Sequence, residues 1–220
     1  MLSLADVTYH PPATARPILK QVNFTVQPQA LTLIVGVSGA GKTTLLELIA
    51  GLATPTGGKI LWREQVLQAV DLQELAGLVF QFPERHFCGL TVLEELRLGH
   101  PELTLEQVQQ VLSTVHLSDV PLHQPPHLLS GGQQRRLALA VQLIRQPYLL
   151  LLDEPLAGLD WSMRQQVMQL LQELKQNWAL LVVSHDTREL SAMADQVWSL
   201  EQGTLVPAGS QGQTLEMPCS

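Results

Sequence analysis

The chain has 220 residues, 45% hydrophobic and 15% charged, enough to bury one substantial core. Its net charge of -7 argues against a broad duplex-DNA surface, because phosphate binding draws on clustered Lys and Arg that this sequence does not show. Cys88 and Cys219 stand far apart with no partners at metal-ligand spacing, which argues against a disulfide framework or a zinc site and fits a reducing compartment.

The N-terminal MLSLADVTYH lacks the basic start and apolar run of a signal peptide. No apolar stretch reaches the roughly 18 residues that span a bilayer, so any membrane role must come through a partner. Residues 2–9, 18–26 and 60–62 alternate in character and are joined by Pro- and Gly-rich turns, the pattern of an antiparallel flap. Residues 31–35, 78–80, 149–152 and 180–183 are nearly continuous apolar runs, which suits strands of a parallel sheet covered on both faces. Helical spacing fills the gaps between them: residues 43–50 stop at Gly51, 132–145 stop before Pro147, and 161–175 follow Asp160 as a cap. From Gln81 to Arg145 strand runs give way to helical segments. One of these is 104–115, where Thr104 can cap and Leu105, Val108, Val111, Leu112 and Val115 recur at helical spacing. The segment 207–220 is polar and aperiodic, as a frayed terminus would be.

Three motifs carry the chemistry. GVSGAGKT, residues 36–43, matches the P-loop pattern and stands directly after the strand LTLIV and before a helix. Gly36, Gly39 and Gly41 let the backbone from Ser38 through Ala40 turn its N–H groups around phosphates, and the helix start at Lys42, Thr43 and Thr44 adds positive potential. Lys42 would bridge β- and γ-oxygens, and the Thr43 hydroxyl would ligate Mg²⁺. The competing explanation is an ordinary Gly-rich turn between strand and helix. In YLLLLDE, Asp153 and Glu154 emerge from a buried strand at the edge where open α/β sheets bind ligands. Asp153 would hold the Mg²⁺ shell and Glu154 would polarise the attacking water, unless both are merely strand-end acids facing solvent. In LSGGQQRR, Ser130 can cap a helix while Gly131, Gly132 and Gln133 expose its first N–H groups to an anion. The P-loop already occupies one nucleotide in this chain. The economical ligand for the second surface is therefore the nucleotide bound by another copy or a paralogue.

LSGGQ, the P-loop and LLLLDEP together resemble the ABC ATPase superfamily. The resemblance implies an α/β fold, a P-loop NTPase (RecA-like) parallel-sheet core with an antiparallel β flap and an inserted helical subdomain. The core and flap would take residues 1–80 and 146–206, the helical subdomain 81–145 and a tail 207–220. It implies ATP and Mg²⁺ as ligands, Gln81 as the Q-loop glutamine of the metal and water shell, and His185 in VVSHD as the switch histidine on the γ-phosphate. It implies that Asp160 in AGLD belongs to the D-loop, where it is also a fitting helix cap. Tyr9 resembles the aromatic that stacks on adenine, though packing on the flap explains it as well.

QFPE, residues 81–84, is similar to the ATPase subunits of energy-coupling-factor importers of vitamins, cobalt or nickel. The chain departs from that group in lacking a long C-terminal extension and in having Leu156 where threonine is common. The implied partners are an integral membrane transporter subunit and a second ABC ATPase subunit, with no nucleic acid, and the implied location is the cytoplasmic face of a membrane. Phe82, Phe87, Leu90 and Val92 either line a groove for a helix of the membrane partner or pack inside the helical subdomain. A soluble ABC ATPase, such as one serving iron-sulfur assembly, is the alternative to a transporter subunit.

Overall fold

In the computed structural model, which describes residues 1–12, 14–185 and 188–208, the chain opens with β1 (Leu2–Tyr9) and β2 (Leu19–Thr25), an antiparallel pair. The next strand, β3 (Leu31–Val35), runs through the middle of the molecule into α1 (Lys42–Ile49). β4 (Gly57–Trp62) and β5 (Gln65–Val66) complete the flap, whose strand order is β2-β1-β4-β5. α2 (Ala69–Leu75) leads into β6 (Ala76–Val79). Three helices follow: α3 (Val92–Arg97), α4 (Leu105–Thr114) and α5 (Gly131–Ile144). The chain then returns through β7 (Leu149–Asp153), α6 (Trp161–Leu174), β8 (Ala179–Ser184) and α7 (Arg188–Met193). β9 (Gln196–Glu201) and the antiparallel β10 (Thr204–Pro207) close the described chain.

The second sheet has the order β10-β9-β3-β8-β7-β6, and its strands other than β10 pair in parallel. The continuous apolar runs follow from burial on both faces, since successive side chains of a strand point to opposite sides. Leu33, Leu150, Leu152, Leu180 and Val182 join one apolar cluster with α5 and α6, while Ile34, Leu149, Leu151, Leu181 and Val183 join the other with α1 and the flap. A fully buried Leu or Val in such a layer contributes about 1.5–3 kcal/mol. The sheet therefore holds the loops at its carboxyl edge on a rigid base.

The first cluster also extends into the helical segment through Val92, Leu96, Val108, Leu112 and Leu137. The helices of 81–145 thus share the sheet's core and have no separate one. Caps set their starts: Thr104 Oγ1 accepts from the Gln107 amide before α4, and Ser130 and Gln133 form a reciprocal capping box before α5.

Several elements differ from the sequence reading. β9 alternates polar Gln196, Ser199 and Glu201 with apolar residues because it lies next to an edge and is only partly covered. α2 and α7 have only seven and six residues, too few to show helical spacing. Pro207, expected to begin the tail, ends β10, and the Ala208 amide donates to the Val197 carbonyl. Residues 209–220, with Cys219, lie outside the described residues.

Candidate functional site

The turn between β3 and α1 is shaped by its glycines for different reasons. Gly39 (φ 79°) and Gly41 (φ 101°) adopt the left-handed conformation that a side chain disfavours. Gly36 is limited by space instead, because a Cβ there would lie 2.7 Å from the Leu200 carbonyl oxygen. Lys42 folds back over this turn, its Nζ donating to the carbonyls of Gly36 (2.7 Å) and Val37 (3.2 Å). The same ammonium lies 3.9 Å from Glu154 Oε1.

β7 lies two strands from β3 and delivers Asp153 and Glu154 to the same edge. The Thr43 hydroxyl donates to Asp153 Oδ2 at 2.7 Å. Burial raises the Asp153 pKa; the Thr43 hydrogen bond opposes this, the Glu154 charge adds to it and Lys42 opposes it. Glu154 has an unusual positive φ of 48°, and its amide donates to the Val183 carbonyl of β8. Its carboxylate, 9% exposed, is held from the β8 side. Ser184 Oγ donates to Oε2 at 2.8 Å, the His185 amide donates to Oε1 at 2.9 Å, and His185 Nδ1 lies 2.7 Å from Oε1.

Lys42, Thr43, Asp153, Glu154 and His185 line one open cavity of about 450 Å³, together with Ser38, Gly39, Gly41, Thr44 and Gln81. Residues separated by more than 140 positions thus converge at the carboxyl edge of the sheet. Its hydroxyl, carboxylate and amide oxygens form a hard donor set, and a lysine stands beside them. Among the described residues no cluster of three or more His, Cys, Asp or Glu side chains could hold a metal ion alone. A divalent cation here would need oxygens from its ligand as well.

Other expected residues lie elsewhere. Gly36 faces a neighbouring cleft with Lys20 and Leu200. Ala40 packs against the flap side of the core. Tyr9 sits opposite Leu19 at the end of β1, partly buried against the flap core and outside the cavity lining, while the neighbouring Ile18 reaches the cavity. Ser130, Gly131, Gly132 and Gln133 are also outside it. Ser130 Oγ accepts from the Gln133 amide and Gln133 Oε1 from the Ser130 amide. Ser130 and Gly131 are exposed, whereas Gly132 is buried, with Met163 of α6 only 3.2 Å from where its Cβ would be. Asp160 caps α6 through the Met163 amide at 2.9 Å. The four candidate groove residues divide. Val92 is fully buried, Phe87 lines a cleft of about 140 Å³ beside α5, and Phe82 and Leu90 are 38% and 78% exposed.

Three contributors escaped the sequence reading: Ile18, Ser184 and Arg135. Ser184 could have been found from VVSHD, since a strand-end serine beside the histidine shares its position. Arg135 is inside LSGGQQRR, but only the fold shows that its guanidinium reaches the carbonyls of Glu154 and Ala157.

The ABC transporter family model matches residues 19–157. The chain is 47% identical to ABC transporter I family member 11, chloroplastic, of Arabidopsis thaliana, over 94% of this chain and 80% of that protein. It is 36% identical to the energy-coupling factor transporter ATP-binding protein EcfA2 of Bacillus subtilis (strain 168), over 89% of this chain and 76% of that protein. Among solved structures it resembles cbiO1 of Clostridium perfringens, described as part of the ABC transporter complex cbiONQ, with a TM-score of 0.84, 27% identity and coverage of 93% and 86%. It also resembles the dimeric ATP-binding cassette MJ0796 bound to ADP and Pi, with a TM-score of 0.80, 28% identity and coverage of 93% and 96%. The cavity at the sheet edge thus sits in a chain that belongs to the ABC transporter family of ATP-binding proteins, and it is an ABC ATPase.

Proposed function

We propose that the chain powers a membrane transporter of the energy-coupling-factor type by closing on ATP as a pair of subunits and reopening after hydrolysis. The observation that carries this reading is the convergence of Lys42, Thr43–Asp153 and Glu154–His185 on one cavity. Ser38, Gly39, Gly41 and Thr44 cradle the phosphates by their backbone and hydroxyl groups, and Lys42 exchanges its loop carbonyls for β- and γ-oxygens. Thr43, Asp153 and Gln81 would hold Mg²⁺, which neutralises charge building on the phosphates when bound. Glu154 accepts the proton of the attacking water, and His185 holds the carboxylate on the side facing the cavity.

Ser130, Gly131, Gly132 and Gln133 bind the γ-phosphate held by the other subunit, so ATP favours the closed pair by differential binding. Asp160 lies along that interface and Tyr9 on the adenine side. Similarity to proteins named as energy-coupling factor ATP-binding proteins favours a transporter subunit over a soluble ABC ATPase. Among the described residues no helix is long and apolar enough to cross a membrane. The likeness to ATP-binding proteins of transporter complexes supports a separate integral subunit, which docks at the surface bearing Phe82, Phe87 and Leu90 on the cytoplasmic side.

Glu154→Gln tests the mechanism. Turnover is expected to fall about 10²-fold or more while ATP accumulates in a stable dimer seen by size-exclusion chromatography. Turnover at the wild-type rate would overturn the assignment of Glu154. Purification from detergent-solubilised membranes is expected to bring down an integral membrane protein.

A further inference from the structure

Arg135 lies on α5 five residues beyond Ser130, and its guanidinium turns into the protein. Only 5% of the residue is exposed. Nη1 donates to the Glu154 carbonyl and Nη2 to the Ala157 carbonyl, each at 2.9 Å, while Nε has no hydrogen-bond partner. Burial lowers the Arg135 pKa, and the Glu84 carboxylate on the turn after Gln81 partly restores it. A buried cation with an unmet donor is costly, so its placement is informative. The rigid guanidinium fork holds the two carbonyls through separate nitrogens in a fixed geometry, whereas a lysine donates from a single nitrogen on a flexible stem.

That turn contains Glu154 in its left-handed conformation. Its amide is tied to Val183 on β8 and its carbonyl to Arg135 on α5, so the backbone that aims the carboxylate is clamped from both sides. The neighbouring Arg136 donates instead to the carbonyls of Gly132 and His116, away from this turn. From Ser130 to Arg135 the helix rises only about 7–8 Å.

We infer that Arg135 is a positioning residue that ties the start of α5 to the Glu154 turn of the same chain, coupling the two nucleotides of the paired subunits. The inference rests on the two-subunit reading above. The α5 end of one subunit faces the nucleotide on its partner's P-loop, whereas Glu154 serves the nucleotide on its own. A shift of α5 when the partner's ATP is engaged therefore reaches the other site through one side chain. The carbonyl of Ala157 carries the same link toward the segment ending at Asp160.

Steady-state kinetics of Arg135→Gln is expected to show kcat lowered about 10-fold or more, with KM for ATP within about 2-fold of wild type and cooperativity in ATP lost. Arg135→Lys, able to reach one carbonyl, restores part of kcat. A loss of kcat and ATP affinity together, with no rescue by lysine, would mean that Arg135 only stabilises the fold. Mixed dimers decide which site it serves, read against a dimer with Glu154→Gln in one subunit. If Arg135 acts on its own chain's Glu154, adding Arg135→Gln to the subunit already carrying Glu154→Gln costs nothing further. Adding it to the other subunit lowers the remaining turnover by the same factor of about 10 or more. The reverse pattern would show that Arg135 only presents Ser130 to the partner's nucleotide and would overturn the inference. Full hydrolysis by a wild-type monomer would sink the two-subunit reading itself.

Discussion

Around Lys42 the polar groups satisfy one another. The lysine is held by Gly36 and Val37, Thr43 by Asp153, and Glu154 by Ser184 and His185. At the start of α5 the capping box uses the amides of Ser130 and Gln133, and the Ser130 carbonyl takes the Gln134 amide. The amides of Gly131 and Gly132 are left without partners inside the helix. The side chains of the first region are therefore already paired with one another, although the amides at the start of α1, which has no side-chain cap, are as open as those of Gly131 and Gly132. At the start of α5 no charged side chain stands beside the open amides. A nucleotide must displace side-chain contacts such as those of Lys42 at the first while adding bonds to its open amides, and at the second it only adds them. This asymmetry suits a module in which ATP binds one chain first and recruits the second afterwards.

Changing the lysine gives the largest expected effect, because it removes a charge at the centre of the first region. Lys42→Ala is expected to lower turnover by about 10²–10³-fold and to weaken binding of a fluorescent ATP analogue to the monomer. It also leaves Glu154 without the cation 3.9 Å away. Ser130→Glu probes the other region by setting a carboxylate where the partner's γ-phosphate is expected. Turnover and ATP-driven dimerisation are expected to fall about 10²-fold. Binding of the analogue to the monomer should stay within about 2-fold, since the cavity of Lys42 does not include Ser130. Equal loss of monomer binding in the two variants would erase the distinction between the regions.

Much of this contrast is legible in the sequence, for reasons that differ by element. The inner strands declare themselves because both faces are covered, so LTLIV and LLLLD contain almost nothing polar. GVSGAGKT and LSGGQ are legible because each demands particular residue types at fixed positions next to a helix start. β9 stays hidden because partial cover tolerates Gln196 and Ser199, and α2 because seven residues show little periodicity. Candidate site residues brought by a single motif were visible one by one. Contacts joining distant segments were not: nothing in QQRR distinguishes the buried Arg135 from the half-buried Arg136 beside it. Phe82, Phe87, Leu90 and Val92 divide between surface and interior because they fall on different pieces of chain: Phe82 before the 3-10 turn over Pro83–Arg85, Phe87 and Leu90 in the segment after it, and Val92 at the buried start of α3.

The smallest expected effect concerns the cost of keeping the first region ready. Asp153 is buried beside Glu154, and its pKa lies above the ordinary value. The folded protein thus holds the proton more tightly than the unfolded chain. That contribution to stability is complete below the ordinary aspartate value near pH 4 and is lost as the pH rises through the raised folded value. At neutral pH the charge is therefore a cost, and it also raises the pKa of nearby Glu47, although burial is the larger cause there. Asp153→Asn keeps an acceptor for the Thr43 hydroxyl while removing the charge. In the absence of nucleotide its unfolding midpoint at pH 7 is expected to be about 2–4 °C higher, the shift produced by 1 kcal/mol in a domain of this size. The difference should vanish as the pH is lowered toward 4, whereas at pH 7 Mg·ATP should raise the midpoint of the wild type but not of the variant. A variant less stable than wild type at pH 7 would mean that the Thr43–Asp153 contact supports the fold more than the buried charge strains it.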